Sequence, residues 1–272
     1  MISLKRRAAV EGLGTTFLLI AVVGSGILAE RLATTNPALT LLASALATGA
    51  ALFALIEWLS PLSGAHFNPL VTLALFFRGD LSGRAAATYV LVQMAGAVAG
   101  VGVADGMFDA PAFSLSTHVR SGPSQLLGEF VSTFGLVGAV WVCSQTRPSS
   151  LAGVVAAYIF GVFWFTPTGF ANPAVTIARA LTDTFSGIRP ADVPGFVAAE
   201  TAGAVASVAV FRWLTPERAH RRQVDILDCT PPPETGPPTQ PTSAAGARAL
   251  TISHPPRPHH RQHREPPEGT PP

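Results

Sequence analysis

The chain has 272 residues, of which 48% are hydrophobic and only 12% are charged. Soluble domains carry charged residues at about 25%, so this composition excludes an ordinary soluble domain. The net charge of +2 gives no support for a nucleic-acid partner, and the two cysteines show neither metal-ligand spacing nor an obvious disulfide.

Six apolar stretches approach the roughly 20 residues that a membrane-spanning helix needs. They cover residues 10–28, 38–59, 85–107, 126–142, 151–165 and 193–214. The first follows Lys5, Arg6 and Arg7 and so has the pattern of a secretory signal peptide, but Glu11 interrupts it and the pattern returns later in the chain. We therefore interpret it as the first span.

Two short segments, 69–77 and 173–181, lie between spans two and three and between spans five and six. Each follows an Asn-Pro pair, at Asn68-Pro69 and at Asn172-Pro173. Asparagine is a strong helix N-cap, and proline suits the first turn. A helix of about nine residues extends roughly 13 Å, close to half of a hydrocarbon core of about 30 Å. The sequence predicts two half-length helices whose positive ends meet near the midplane.

The two halves of the chain repeat the same plan. The matching residues are Glu11 and Thr15 with Glu129 and Thr133, and Gln93 with Glu200. Because each half contains three spans, the halves insert in opposite orientations. The basic residues outside the spans concentrate on one face, which the positive-inside rule makes cytoplasmic together with both termini.

The chain changes character after residue 214. We predict a membrane domain of residues 1–214, with halves of about 8–107 and 125–214, and a cytoplasmic tail of residues 215–272. The tail is rich in Pro, His and Arg and has few large apolar residues, so it is predicted to be disordered. Its histidines are interpreted as part of a solvated tail rather than as a metal site.

Over about residues 8–214, the chain resembles the major intrinsic protein family, the aquaporins and glycerol facilitators. The resemblance rests on Ser63-Gly64-Ala65-His66-Phe67-Asn68-Pro69, Asn172-Pro173-Ala174, the two Glu-x-x-x-Thr motifs, and Tyr89 with Gln93, Gly96 and Ala97. It implies an all-α integral membrane fold with six transmembrane helices and two re-entrant half-helices in an inverted repeat. It also implies a homotetramer in the plasma membrane, with one pore per subunit and no cofactor.

The resemblance also assigns roles to individual residues. The pore centre is formed by Asn68, Pro69, Leu70, Asn172, Pro173 and Ala174, with Leu70 replacing the usual alanine. The residues that brace the re-entrant loops are Glu11, Glu129, His66 and Gln93, and a gating role for His66 is the alternative. No role is carried over to Glu200.

The narrowest ring of the pore departs from the family pattern. Orthodox members have an arginine directly after the second Asn-Pro-Ala, where this chain has Val175. Arg179 follows one helical turn later and is expected to point to the outer vestibule or to brace a loop. Family spacing places the rest of the ring at Thr48, at Gly169 or Phe170, and at Phe160 or Gly161. Such a ring is expected to be wide, apolar and without fixed charge.

The segment 172–185 resembles a bacterial branch of aquaglyceroporins associated with arsenic-resistance genes. It implies passive permeation by water and small uncharged solutes such as glycerol-like polyols and arsenous acid. Two alternatives stay open, a proton-coupled secondary transporter and a membrane scaffold that acts through the Pro-rich tail. An enzyme is not predicted, because no nucleophile with a base, paired acids or metal ligands converge in the sequence.

Overall fold

The computed structural model describes residues 2–215, and the predicted tail lies outside the described residues except for Thr215. Within this range every regular element is helical. The helices are α1 (Leu4–Leu32), α2 (Pro37–Ser63), α3 (Pro69–Arg78), α4 (Gly83–Met107), α5 (Pro123–Thr146), α6 (Leu151–Phe165), α7 (Pro173–Arg179) and α8 (Val193–Leu214). Six of them are long and apolar enough to cross a membrane, which confirms the predicted spans; α6 reaches this length together with the short 3-10 turn before it.

The packing of the helices follows the repeat. In the first half α1 packs on α2 and α4, and in the second half α5 packs on α6 and α8. Each short helix contacts helices of both halves. α3 contacts α4 and α8, and α7 contacts the same two helices. The first turns of α3 and α7 therefore meet in the interior of the bundle.

Small residues allow the closest helix crossings. A Cβ atom built on Gly96 of α4 would collide with the carbonyl oxygen of Gly12 on α1. A Cβ built on Gly203 of α8 would collide with the carbonyl oxygen of Phe130 on α5 in the same way. Such close backbone approach is typical of helices packed in a membrane.

Both short helices begin where the sequence predicts. Proline occupies the first turn of each, and the preceding asparagine side chain accepts a backbone hydrogen bond. α3 ends at Arg78 because Gly79 adopts a left-handed φ of 94°. α7 is shorter than predicted and ends at Arg179, where the chain turns back toward Ser186.

Candidate functional site: a central cavity between two half-helices

The asparagines of the two Asn-Pro pairs lie at the centre of the bundle and bind each other's loops. Asn68 Oδ1 accepts from the Leu70 amide at 2.9 Å, and Asn172 Oδ1 accepts from the Ala174 amide at 3.0 Å. The side-chain nitrogen of each asparagine donates at 2.8 Å to the carbonyl that precedes the other asparagine. One N–H of each amide is thereby used within the protein, and the second is left for the cavity that both side chains line.

The residues before the asparagines adopt an unusual backbone conformation. Phe67 has a φ of 49° and Ala171 a φ of 51°, in the left-handed region that residues other than glycine rarely occupy. Their carbonyls accept from the opposite asparagine, while their amides donate to buried glutamates. Both ends of these strained residues are therefore fixed by hydrogen bonds, which is how such a conformation persists in a folded protein.

Glu11 holds the first re-entrant loop. Its Oε1 accepts from the Ser63 hydroxyl at 2.6 Å and from the His66 amide at 3.0 Å. Its Oε2 accepts from the Phe67 amide at 2.8 Å and from Gln93 Nε2 at 2.9 Å. Glu11 is completely buried, and these donors compensate for the loss of water around its carboxylate.

Glu129 holds the second loop in the same way. Its Oε1 accepts from the Thr168 hydroxyl at 2.6 Å and from the Phe170 amide at 3.0 Å, and its Oε2 accepts from the Ala171 amide at 2.9 Å. The bracing contacts that the family resemblance implied for the two glutamates are thus present in the geometry.

Gln93 and Glu200 occupy matching positions on α4 and α8. Gln93 Nε2 donates to Thr72 Oγ1 at 3.0 Å, in addition to its bond with the first-half glutamate. Glu200 Oε1 accepts from the Thr176 hydroxyl at 2.5 Å and from the Asn172 amide at 3.2 Å. The sequence analysis assigned no role to Glu200. Its position in the repeat, which matches that of Gln93, is the signal from which this contact could have been predicted.

His66 takes part in the loop and also in the cavity wall. Its Nδ1 lies 3.0 Å from Thr72 Oγ1, and its ring meets the Tyr89 ring edge-on at 5.3 Å between centroids. Because its amide donates to Glu11, the backbone at His66 is fixed while the ring lines the cavity.

A central cavity of about 300 Å³ runs past both asparagines. Most of its wall is aliphatic, contributed by Leu18, Val22, Leu52, Ile56, Val71, Leu136, Val140 and Val155 among others. Polar groups are few. They include Thr48 of α2, the two asparagines and Arg179. Near the end of α3 they include Arg78, Asp80 and Ser144. An apolar wall with sparse polar groups binds a small solute weakly at each point, as passage through a pore requires.

The structure brings most of the predicted ring residues to this wall. Thr48, Gly169, Phe170 and Val175 all line the cavity. Phe160 and Gly161 are absent from its lining, so the prediction for the fifth span is corrected. Phe160 packs instead against Gly49 of α2, and Gly161 lies beside the Phe165 ring.

The face of α6 that meets the cavity is therefore shifted from the predicted one. It presents Ile159 and Phe163, together with Val155. Because successive helical residues are turned by about 100°, a shift of one position moves a side chain from the lumen into a helix interface.

Four of the six residues predicted to form the pore centre lie behind the cavity wall and do not line it. Pro69 and Pro173 begin their helices, and neither they nor Leu70 and Ala174 line the cavity. Leu70 packs with Ala74, Val137 and Ala204, where it fills space behind α3 rather than narrowing the lumen.

Arg179 was expected to point to the outer vestibule or to brace a loop, and it contacts the loop at Ser186 and also lines the cavity. It lies on the cavity wall, four residues after Val175 on the same face of α7. Its guanidinium carbon lies 3.5 Å from the centre of the Phe170 ring, and its Nε donates to the Ser186 carbonyl. The i,i+4 spacing from Val175 indicates that Arg179 lies on the same face of the helix. The position of its side chain also depends on the contact with the Ser186 carbonyl, which the sequence does not indicate.

No group of His, Cys, Asp or Glu residues within the described range 2–215 could hold a metal ion. The histidines of the predicted tail lie outside that range.

Comparison with known proteins agrees with this geometry. The sequence profile described as Major intrinsic protein matches residues 1–168. The chain is 49% identical over 236 residues to Aquaglyceroporin AqpS of Rhizobium meliloti (strain 1021), covering 86% of this chain and 98% of the relative. It is 30% identical over 159 residues to Aquaporin-5 of Sus scrofa, where the match spans 60% of that relative.

A solved structure also shares the fold. The X-ray structure of the aquaglyceroporin from Plasmodium falciparum superposes with a TM-score of 0.57, at 22% sequence identity, covering 82% of this chain and all of that one. The predicted all-α fold is thereby confirmed. With the profile match and the relative from Rhizobium, these findings show that the chain belongs to the major intrinsic protein family, whose members are channels and not enzymes.

Proposed function

We propose that the protein conducts small uncharged solutes, water and glycerol-like polyols among them, passively through the central cavity. The observation that carries the proposal is the pair of asparagines on an otherwise aliphatic wall, each with one N–H left for a passing oxygen atom. The N-termini of α3 and α7 begin at these asparagines, and their positive ends oppose the entry of cations.

The selective part of the cavity is proposed to lie where Thr48, Phe170 and Val175 line it. Val175 in place of the usual arginine leaves more room and less charge at that position. The relative from Rhizobium is named an aquaglyceroporin, which supports polyols as solutes of this chain. Arsenous acid resembles a small polyol in shape and hydrogen bonding, and we include it among the proposed solutes.

The first experiment measures swelling of proteoliposomes by light scattering, in gradients of water and of glycerol. Wild type is compared with Val175→Arg, which restores a charged side chain to the wall, and with Val175→Leu, which adds bulk without charge. We expect glycerol flux in wild type, a sharp fall in the arginine variant and a smaller fall in the leucine variant. Folded wild-type protein without flux above that of empty vesicles would overturn the proposal.

Arsenic permeation needs its own test. Arsenite uptake is compared in cells that express the protein and in cells that express Val175→Arg at the same level in the membrane. Faster uptake with wild type is expected, and equal uptake in both would remove arsenous acid from the solutes while leaving glycerol unaffected.

The charge pattern and the family support a proposal for the domains, the orientation and the assembly of the protein. Residues 1–214 are proposed to form the channel domain and 215–272 a tail, with both termini in the cytoplasm of a plasma-membrane protein. A homotetramer with one pore per subunit is proposed from the family resemblance. Accessibility of cysteines introduced at Ser3 and at Ser121, on opposite proposed faces, tests the orientation, and mass measurement of the protein in detergent tests the assembly.

A further inference from the structure

The cavity wall contains a buried cation that forms no ion pair with a carboxylate of residues 2–215. Arg179 is only 6% exposed, and its Nε is bound by the Ser186 carbonyl. None of the ion pairs found among residues 2–215 includes it. Burying an unpaired charge is costly, so its presence on the wall calls for an explanation beyond stability.

Phe170 fixes the position of this cation. The Arg179 guanidinium lies over the Phe170 ring, and Arg120 approaches the same ring with its guanidinium carbon 5.4 Å from the centroid. Arg120 is held by the carbonyls of Gly187 at 2.7 Å and of Phe185 at 2.9 Å. Contact with an aromatic face partly compensates a cation for lost water and restricts its rotamers.

The terminal nitrogens of Arg179 are free of protein acceptors among residues 2–215. No hydrogen bond from them is found in that range, and Arg179 lines the cavity. Thr48 also lines the cavity, but its hydroxyl oxygen is itself buried and is not part of the accessible polar surface of the wall. Polar groups inside folded proteins are nearly always paired, so these Arg179 donors call for an acceptor such as the oxygen atom of a solute or water in the cavity.

We propose that Arg179, held against Phe170, supplies the fixed positive charge of the selective region from one helical turn beyond Val175. It donates to the oxygen atoms of hydroxyl-bearing solutes, and by its charge it excludes monovalent cations. The site thus keeps a cation that the substitution at position 175 removes from its usual place. This inference rests on the proposed channel function.

The test compares Na⁺ permeability with glycerol permeability in the full-length protein in proteoliposomes. Arg179→Gln removes the charge, and Arg179→Lys keeps it. Arg189→Gln is the matched control, because Arg189 is half exposed, pairs with Asp192 and does not line the cavity. We expect the ratio of Na⁺ to glycerol permeability to rise at least about tenfold in Arg179→Gln, and to stay within about twofold of wild type in the other two.

A variant with a second substitution shows whether a change in Na⁺ permeability comes from the lost charge or from disturbed folding. Adding Val175→Arg to Arg179→Gln returns a cation one turn earlier and is expected to restore Na⁺ exclusion. If Arg179→Gln does not yield monodisperse protein, Arg179→Met, which retains an apolar contact with Phe170, replaces it in the comparison.

The contact with solute hydroxyl groups has its own readout. Arg179→Met removes the terminal donors and retains an apolar contact with Phe170, so glycerol permeability should fall about fivefold relative to water permeability. An unchanged glycerol-to-water ratio would overturn the contact. Glycerol flux in wild type together with unchanged Na⁺ exclusion in the uncharged variants would overturn the role of Arg179 alone, whereas absence of glycerol flux in wild type would overturn the channel itself.

Discussion

Glu129 and Glu200 accept hydrogen bonds from adjacent backbone amides, those of Ala171 and Asn172, at 2.9 and 3.2 Å. Both carboxyl groups are completely buried, and Glu200 Oε2 has no donor within the described chain. In the first half the matching position is Gln93, whose amide donates to the matching glutamate at 2.9 Å. The second half therefore has a second acid where the first half has a donor.

This difference predicts that Glu200→Gln stabilises the protein and preserves solute flux. An amide oxygen can still accept from Thr176 and Asn172, while the amide nitrogen removes the repulsion between two buried carboxyl groups. We expect a gain of roughly 1 kcal/mol, or about 2–4 °C in the Tm measured in detergent. The mirror change Gln93→Glu should lower the Tm, and a lower Tm in Glu200→Gln would contradict the prediction.

Glu11→Ala is expected to be strongly destabilising. It removes the acceptor of four donors, two of them loop amides that become buried and unpaired. Each buried unpaired donor costs about 1–3 kcal/mol, so we expect a loss of at least about 3 kcal/mol. Thermal unfolding in detergent measures it, with Glu30→Ala as the control, because Glu30 is an exposed acid on the same helix. Equal effects of the two changes would refute a bracing role.

The helix crossings predict opposite effects for two glycine-to-alanine changes. A Cβ at position 203 meets the Phe130 carbonyl, so Gly203→Ala must separate α5 from α8 and should cost about 1–3 kcal/mol. A Cβ at Gly153 of α6 has no atom within 4 Å, and Gly153→Ala should stabilise by up to about 1 kcal/mol through helix propensity. Tm values of both variants in one detergent provide the test.

The loop before α5 should respond to acid through Asp183. The Thr117 amide donates to Asp183 Oδ1 at 2.8 Å, and this bond, first among several, lowers the pKa of the Asp183 carboxyl. A lowered pKa in the folded state adds stability above the unfolded pKa of about 4, and this stability is lost as the pH falls through the folded value. The Tm difference between wild type and Asp183→Asn should be constant above about pH 5 and shrink below pH 4; a difference independent of pH would contradict this.

Local signals made the centre of the fold predictable. Asn-Pro both caps and begins a short helix, so the starts of α3 and α7 follow from two residues each. The repeated Glu-x-x-x-Thr motif located two acids that need donors within a membrane span, and the family resemblance implied that these donors belong to the re-entrant loops.

The cavity wall was less predictable, for a physical reason that α6 illustrates. Nearly all of its residues are apolar, so no polar stripe indicates which face meets the lumen, and Phe160 was predicted where Ile159 and Phe163 lie. The position of Arg179 depends on Ser186 and Phe170, and both contacts form only once the loops have packed. Pattern in one helix carries no information about such contacts.

The reciprocal bonds of the two asparagines have a consequence for biosynthesis. Each joins residues more than a hundred positions apart, 103 for Asn68 with Ala171 and 105 for Asn172 with Phe67. While the ribosome is still making the second half, Phe67 has no partner for its carbonyl and Asn68 none for its amide nitrogen. A half-made chain in the bilayer therefore has an unfinished centre, and these two bonds form only after α7 has been made and has entered beside α3.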